Sequence, residues 1–555
     1  MAYSLYDRYR GIYTASELKE IKRFLKKELD RSFRFFTHKS SPKVYYLSYL
    51  FRNHRYEKIA GRLGSINEHN VSSENIVFCD PRMGSYRYDN VSNGGLDGNE
   101  GIEDILEYSY MPSELEEDAY LFSLWKLTDA CYRAAAEEYY DKKTRELHYL
   151  DTNKKLPSKV KQTGIQKWNP VVFKETDTDY WKYLIRKAGK VIKKYPAIKN
   201  SWIEFISQHR QSIFISSEGH EILQQKEIFE LRFSLWILNK QGEGISSEFT
   251  AIEGSIEHLP DEKEFMKILD EKIKFLMTQE KAPRLNSYSG PVLMSPGAAG
   301  LFFHEVIGHR LEGSRLLSPE EGATFMDLKG RRIAPEFINI IDDPGIDSYG
   351  GRQMIGHYLC DDEGNPAKKA VLVEKGILKN FLTTSSPIPG QKELNGHARN
   401  QQLERPISRM GNLCVVNLKP VTTEEMKELF IREIINQKKP YGIYIKETMG
   451  GETGTSNYDF QAFKGEIMNS VRVLPNGKEE PVRGVDFVGT PLSALDSVLC
   501  MGDDPELDNA YCGAESGVIP VSTIAPSMLM KNLELQSKDR ERFAPYSLPL
   551  PYDRK

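Results

Sequence analysis

The spacing of apolar and polar positions gives the chain two textures. Over residues 15–36 apolar side chains recur at helical intervals, with Ser16 placed to cap the start and acidic Glu17 and Glu20 in the first turn, so a helix is expected there. Between Tyr45 and Phe78 the runs VYYLSYLFR, RYEKIAGRLGSI and NIVFCD are rich in β-branched and aromatic residues and read as short strands of an antiparallel sheet. Gly94 to Gly101 reads as a flexible loop, Pro112 opens a long helical stretch to about Tyr149, residues 150–175 read as a linker, and a further helix is expected over 177–194. Strand signals return from Trp202 to Gly254, followed by a helix near 261–280. The turn-rich KAPRLNSYSGP, residues 281–291, marks a boundary, after which Gly, Pro and Asp punctuate short strands. The pattern predicts an α+β protein, with a helix-and-antiparallel-sheet domain over residues 1–285 and a β-rich domain over 286–555.

Composition narrows the classes. Of the 555 residues 39% are hydrophobic, with 29 Tyr and 25 Phe, enough for a sizeable core. The 75 basic and 79 acidic residues leave a formal net charge of -4, and no basic stripe favours direct contact with nucleic acid or an anionic membrane. The six Cys are scattered without a CxxC pair, so reduced thiols are expected. No apolar h-region opens the chain and no run of about 18 apolar residues occurs, which makes the cytoplasm the expected address, with no membrane partner.

Chemistry concentrates in SGPVLMSPGAAGLFFHEVIGHRLEG. It reads as a strand (VLMS), a turn at Pro296-Gly297 and a helix from Ala298 to Leu311, which carries His304, Glu305 and His309. In the familiar zinc motif two His at i and i+4 share one helix face. Here the spacing is i and i+5, which on a regular α-helix separates the side chains by about 140°. A shared ion therefore demands that the helix break step, and Gly308 is where a π-bulge or a helix end is tolerated. A catalytic zinc has three protein ligands and one open position. Spacing leaves the third donor open among Glu312, Asp327, His357, His397 and the cysteines. Cys512 stands out because DNAYCGAESGVIP places it in a turn before Gly513.

Four ordered blocks carry a resemblance: HEVIGHRLEG (304–313), DDEGNPAKKAVLVEKGILKNF (361–381), YGIYIKETMGGETG (441–454) and DNAYCGAESGVIPVSTIAPSMLMKNLELQ (508–536). From Gly290 to about Leu535 the chain resembles the TldD/PmbA family of metallopeptidases, long described as modulators of DNA gyrase. The resemblance implies a zinc site of His304, His309 and Cys512, Glu305 as general base, the active TldD-like branch that keeps the His-Glu-His motif, and a dimer whose active site faces an enclosed cavity. That dimer would be a homodimer or a heterodimer with a family member. Where the family has GLEGDF after the second His, this chain has RLEGSR, a departure at Arg310 and Ser314 on the rim of the site.

The expected chemistry is zinc-assisted hydrolysis of peptide bonds, with Glu305 moving the proton from water to the leaving amine. TMGGETG, residues 448–454, follows a strand signal. Its Gly450, Gly451 and Gly454 permit close backbone approach, so the segment binds a substrate main chain as an added strand or else is a plain hairpin turn. Recognition through the backbone implies low sequence specificity, with short peptides or unfolded proteins as substrates. Two other classes compete: a binding module with a structural zinc, which would need a fourth ligand that the sequence does not identify, and a DNA-associated protein, which the charge disfavours.

Overall fold

Four long strands, Val44–Arg62, Ser65–Ser85, Ile198–Ser216 and Glu221–Leu238, pair antiparallel to form the backbone of an eight-stranded sheet, with Gly244–Glu253 on the outer side of Glu221–Leu238. The computed structural model describes residues 11–92, 108–148, 156–318, 321, 325–401, 404–456, 461–538, 542–548 and 550–551. The loop expected at Gly94 to Gly101 lies outside the described residues. The antiparallel sheet expected from the sequence is present, but its strands are long rather than short: Val44–Arg62 stays paired throughout, absorbing irregularities as bulges.

Side chains at positions 47, 49, 51 and 59 share one face of that sheet by the two-residue period of a strand. Helices Ala15–Lys39 and Glu117–His148 set Leu18, Ile21, Tyr120 and Leu124 on Leu47, Tyr49 and Phe51. Helices Thr178–Ile192 and Glu262–Gln279 set Trp181, Leu184, Phe265 and Leu269 on Ile59, Phe205 and Phe233. The cap of the first helix lies two residues earlier than the sequence suggests. Thr14, not Ser16, is the cap, accepting from Glu17 N while the Glu17 side chain accepts from Thr14 N. Short strand Gln166–Lys167, inside the expected linker, joins the sheet edge.

The other face of the sheet meets the C-terminal half, where Leu50, Phe214 and Ile222 pack with Cys360. That half holds two further sheets. In one, strands Gly442–Thr453, Ser287–Met294, Met528–Ser537, Val485–Gly489 and Phe463–Val473 pair in that order, and the last pairs again with the first, closing a ring. The other is six-stranded and includes Asn412–Asn417, Gly517–Ala525 and Glu506–Ala514. The short helix Pro296–Phe303 lies between the two sheets. Its Phe302 and Phe303 join Val292, Ile443, Phe463, Phe487, Val521 and Met528 in one continuous core. No helix among the described residues is long and apolar enough to cross a membrane.

Candidate metal centre

Ser295 ends the strand and caps the helix, its hydroxyl accepting from Ala298 N at 3.3 Å. Pro296 and Gly297 therefore form the first helical turn rather than a separate loop: a proline lacking N–H is tolerated at the first helical position, where that donor would go unsatisfied. The α-helix stops at Phe303. His304–Gly308 is a π turn in which His309 N–H reaches back to His304 O, and His309–Leu311 continues as a 3₁₀ turn. The break in step that the i, i+5 spacing demanded is thus present, and it brings the two imidazoles together with ring centroids 5.0 Å apart and planes at 87°. Gly308 has an ordinary helical φ of -54°; what requires glycine is close packing, since a Cβ there would stand 2.2 Å from Met410 Sδ.

Cys512 arrives from the strand Glu506–Ala514, not from a turn. It pairs with Ile519, and the hairpin turn lies beyond Ala514. Alternation along this strand points Cys512 at the histidines and Tyr511 the opposite way, onto Gln208 and Glu230 of the N-terminal sheet. Cys512 Sγ lies 3.2 Å from His304 Nε2 and 3.3 Å from His309 Nε2, and the three donor atoms fall within 4.8 Å of one another. Burial by itself would raise the thiol, but facing His309 and His304 outweigh it and hold Cys512 well below its ordinary value, as a thiolate. Burial likewise opposes charge on the imidazoles, yet Cys512 keeps His304 above its ordinary value, and Cys512 with Glu312 does the same for His309.

Of the other open donors, none joins this cluster among the described residues. His397 is held by Asn395 and Asp342, and His357 Nδ1 by the Pro344 carbonyl. Asp327 sits in a separate 3₁₀ turn. Glu312 has a different place: its carboxylate receives His309 Nδ1 at 3.3 Å, which leaves Nε2 directed at the cluster. Behind the cysteine stands Arg409, fully buried, donating from Nη2 to Cys512 Sγ at 3.2 Å and to Cys512 O at 2.8 Å. Sequence spacing gave no signal for Arg409, because the contact spans 103 residues.

The cluster lies in the wall of a 660 Å³ cavity bounded also by Glu248, Phe249 and Lys272 from the N-terminal half. Glu305 borders this cavity with Oε2 buried and without a hydrogen-bond partner among the described residues. Burial pushes its carboxyl above the ordinary value, partly opposed by His304 and His309. Gly450 and Gly451 line the same cavity, whereas Gly454 lines a neighbouring hollow, its N–H given to Ala462 O and its carbonyl receiving Arg310 Nη2. A Cβ on Gly451 would stand 2.6 Å from Glu305 Cγ, while one on Gly450 would meet nothing within 4 Å. TMGGETG continues the strand Gly442–Thr453 rather than turning. The two family departures have local roles: Arg310 ties Thr453, Gly454 and Gln461 together, and Ser314 exchanges hydrogen bonds with Ser408.

One thiolate and two imidazoles form a donor set suited to a borderline-soft divalent cation. Their nitrogen–sulfur separations fall just short of the roughly 3.5 Å that a tetrahedral centre with metal–sulfur near 2.3 Å and metal–nitrogen near 2.0 Å would set. The residues fit a metal ion. Comparison with known proteins agrees with that chemistry. The profile of the PmbA/TldA metallopeptidase C-terminal domain matches residues 287–537. A metalloprotease of Methanothermobacter thermautotrophicus is 30% identical over 345 residues, covering 60% of this chain and 69% of that relative. The chain belongs to the TldD/PmbA family of metallopeptidases. Another member, the zinc metalloprotease TldD homolog of Saccharolobus solfataricus, is 26% identical over 355 residues, or 63% of this chain and 74% of its own. The family fold extends through the N-terminal half: the structure of TldE from Thermococcus kodakarensis superposes with a TM-score of 0.60 at 15% identity, covering 94% of this chain and 100% of that one.

Proposed function

We propose that this TldD/PmbA member is a zinc-dependent peptidase in which His304, His309 and Cys512 hold the ion and Glu305 is the general base. The observation that carries the reading is the unpartnered Glu305 Oε2, buried beside three converging donors at a cavity wall. A structural zinc would be closed by a fourth ligand and would leave this carboxylate without work. Zinc supplies, when bound, a polarised scissile carbonyl and a water whose pKa falls to about 7. Glu305 accepts the proton of that water at Oε2 and delivers it to the leaving amine, and its burial makes it a stronger base than a solvated carboxylate. Arg409 holds the Cys512 thiolate in place, and Glu312 fixes the His309 ring.

Substrate enters this proposal through the backbone. Gly442–Thr453 pairs with Ser287–Met294 only over Ile443–Ile445, so beyond that point one edge of the strand has no strand partner among the described residues. The free edge passes Glu305 at Gly451 and offers a short peptide or unfolded segment an added-strand register with little regard for sequence. A homodimer or a heterodimer with a family member, acting in the cytoplasm without direct contact to nucleic acid or membrane, completes the reading, and light scattering at twice the mass of one chain would support the dimer. The deciding experiment compares Glu305→Gln with His304→Ala in zinc analysis and casein hydrolysis. Glu305→Gln should keep its zinc and lose roughly 10²–10⁴-fold in rate, whereas His304→Ala should lose both. Hydrolysis at near-wild-type rate by Glu305→Gln would overturn the mechanism.

A further inference from the structure

A second cavity, of 430 Å³, lies between the N-terminal sheet and the C-terminal half, on the sheet face opposite the four helices. Its wall includes a row of cross-strand neighbours in which His54 faces Arg210 and Arg210 faces Lys226. Directly opposed side chains on adjacent strands stand about 4.5–5.5 Å apart at Cβ, and like charges in that relation are destabilising. Arg52 joins from the same strand as His54, and Arg399 from the C-terminal half.

The partners of these cations are mostly neutral. Lys226 Nζ donates to the carbonyls of Ile355 and His357 at 2.6 and 2.7 Å. Arg399 donates to the carbonyls of Met410 and Pro520 at 2.6 and 2.7 Å. Arg210 donates from Nη2 to the amide oxygen of Gln208 at 2.7 Å, and its Nε is buried with no hydrogen-bond partner among the described residues. Of these cations only Arg52 has a carboxylate at ion-pair distance among the described residues, Asp362 at 2.9 Å. The neighbouring Asp361 is pushed up by burial and by Glu363, and both of its oxygens are already engaged by donors of its own surroundings, Glu363 N, Asn365 N and Ala398 N. His54 is pushed down to about 4 by burial and Arg210, so it adds no charge at neutral pH. Burial, together with Arg399 and Arg210, outweighs the attraction of Asp362 and pushes the Lys226 ammonium well below its ordinary value. Uncompensated buried charge is costly, and an occupant carrying negative charge relieves it. Leu359 and Val518, both with exposed side chains, supply an apolar wall beside the cations.

We propose that this cavity is a binding site for a small organic anion, whose carboxylate or phosphate head contacts Arg210, Lys226 and Arg399 and whose apolar body rests on Leu359 and Val518. The site is separate from the metal centre and does not depend on the peptidase reading. Calorimetric titration of the intact chain with inorganic phosphate, hexanoate and hexylammonium tests it. At least one anion should bind saturably and hexylammonium should not, and Arg210→Gln should weaken that anion about tenfold or more through loss of a charge-assisted contact. Phosphate binding alone identifies a phosphate-bearing ligand, hexanoate alone a carboxylate, and both together an unselective head-group site. Arg399→Gln carries the same comparison if Arg210→Gln does not fold. Absence of anion binding at millimolar concentration, equal binding of hexylammonium, or an isotherm unchanged by the substitution would overturn the proposal.

Discussion

Glu312 moves no proton in the proposed reaction, yet its carboxylate receives His309 Nδ1, Arg315 Nε at 3.1 Å and Arg315 Nη2 at 3.0 Å, and Arg409 Nε stands 3.4 Å from its other oxygen. Burial would raise its pKa, but His309 and Arg315 outweigh that and hold the carboxyl at about 2, below its ordinary 4.5. A depressed carboxyl contributes stability that is fully present above its unfolded pKa and is lost as pH falls toward the folded one, here from 4.5 down to about 2. Acid unfolding followed by circular dichroism should therefore be shallower across that window in Glu312→Gln, and the variant should be less stable near neutrality, because buried Arg409 loses its carboxylate partner and Arg315 keeps only Glu321 and Glu515. The same substitution frees the His309 ring and should weaken zinc by roughly 10–100-fold in a chelator competition. Arg409→Met should act on the other ligand, weakening zinc by a similar factor and raising the pKa of Cys512 in thiol-alkylation profiles of the metal-free protein.

The π turn at His304–Gly308 is the element that sequence reasoning could require but not build. The i, i+5 spacing excluded a regular helix for a shared ion, and Gly308 marked the place. The reason Gly308 must be glycine lies 102 positions on, at Met410, where no local pattern reports it. Gly308→Ala should cost about 1–3 kcal/mol by overpacking, measured by denaturant unfolding, and Met410→Ala in the same chain should recover part of that loss. Cys512 was expected in a turn because Gly513 follows it, but the segment pairs as a strand up to Ala514. The glycine was a misleading local signal, overridden by pairing with Gly517–Ala525. Arg409, held to the site only through tertiary contacts, left no trace in spacing. The glycines of Gly442–Thr453 separate by environment. Gly451→Ala should displace Glu305 and lower kcat with zinc retained, whereas Gly450→Ala, with open space around it, should leave hydrolysis close to wild type.

Across the whole molecule, the N-terminal half forms part of the wall around the candidate metal centre. Asn509 donates to Ile252 O at 3.1 Å and to Gln353 O at 3.0 Å, and Lys272 pairs with Glu447 at 2.6 Å across the cavity mouth. Because the Lys272–Glu447 pair is partly exposed, Lys272→Met should raise KM for an unfolded substrate only a few-fold and change kcat little. The alternation of strand and helix in the sequence anticipated this mixed architecture, but not which edge would meet the metal, since that depends on how the halves dock. Docking also bears on the unpaired edge of Gly442–Thr453. An exposed strand edge is a template for any other edge, including that of a second copy, and proteins that leave one open risk aggregation. Here the edge is recessed, with Phe249 and Lys272 in the wall of the same cavity. An edge walled in this way offers a single extended chain an easier approach than a folded sheet several strands wide.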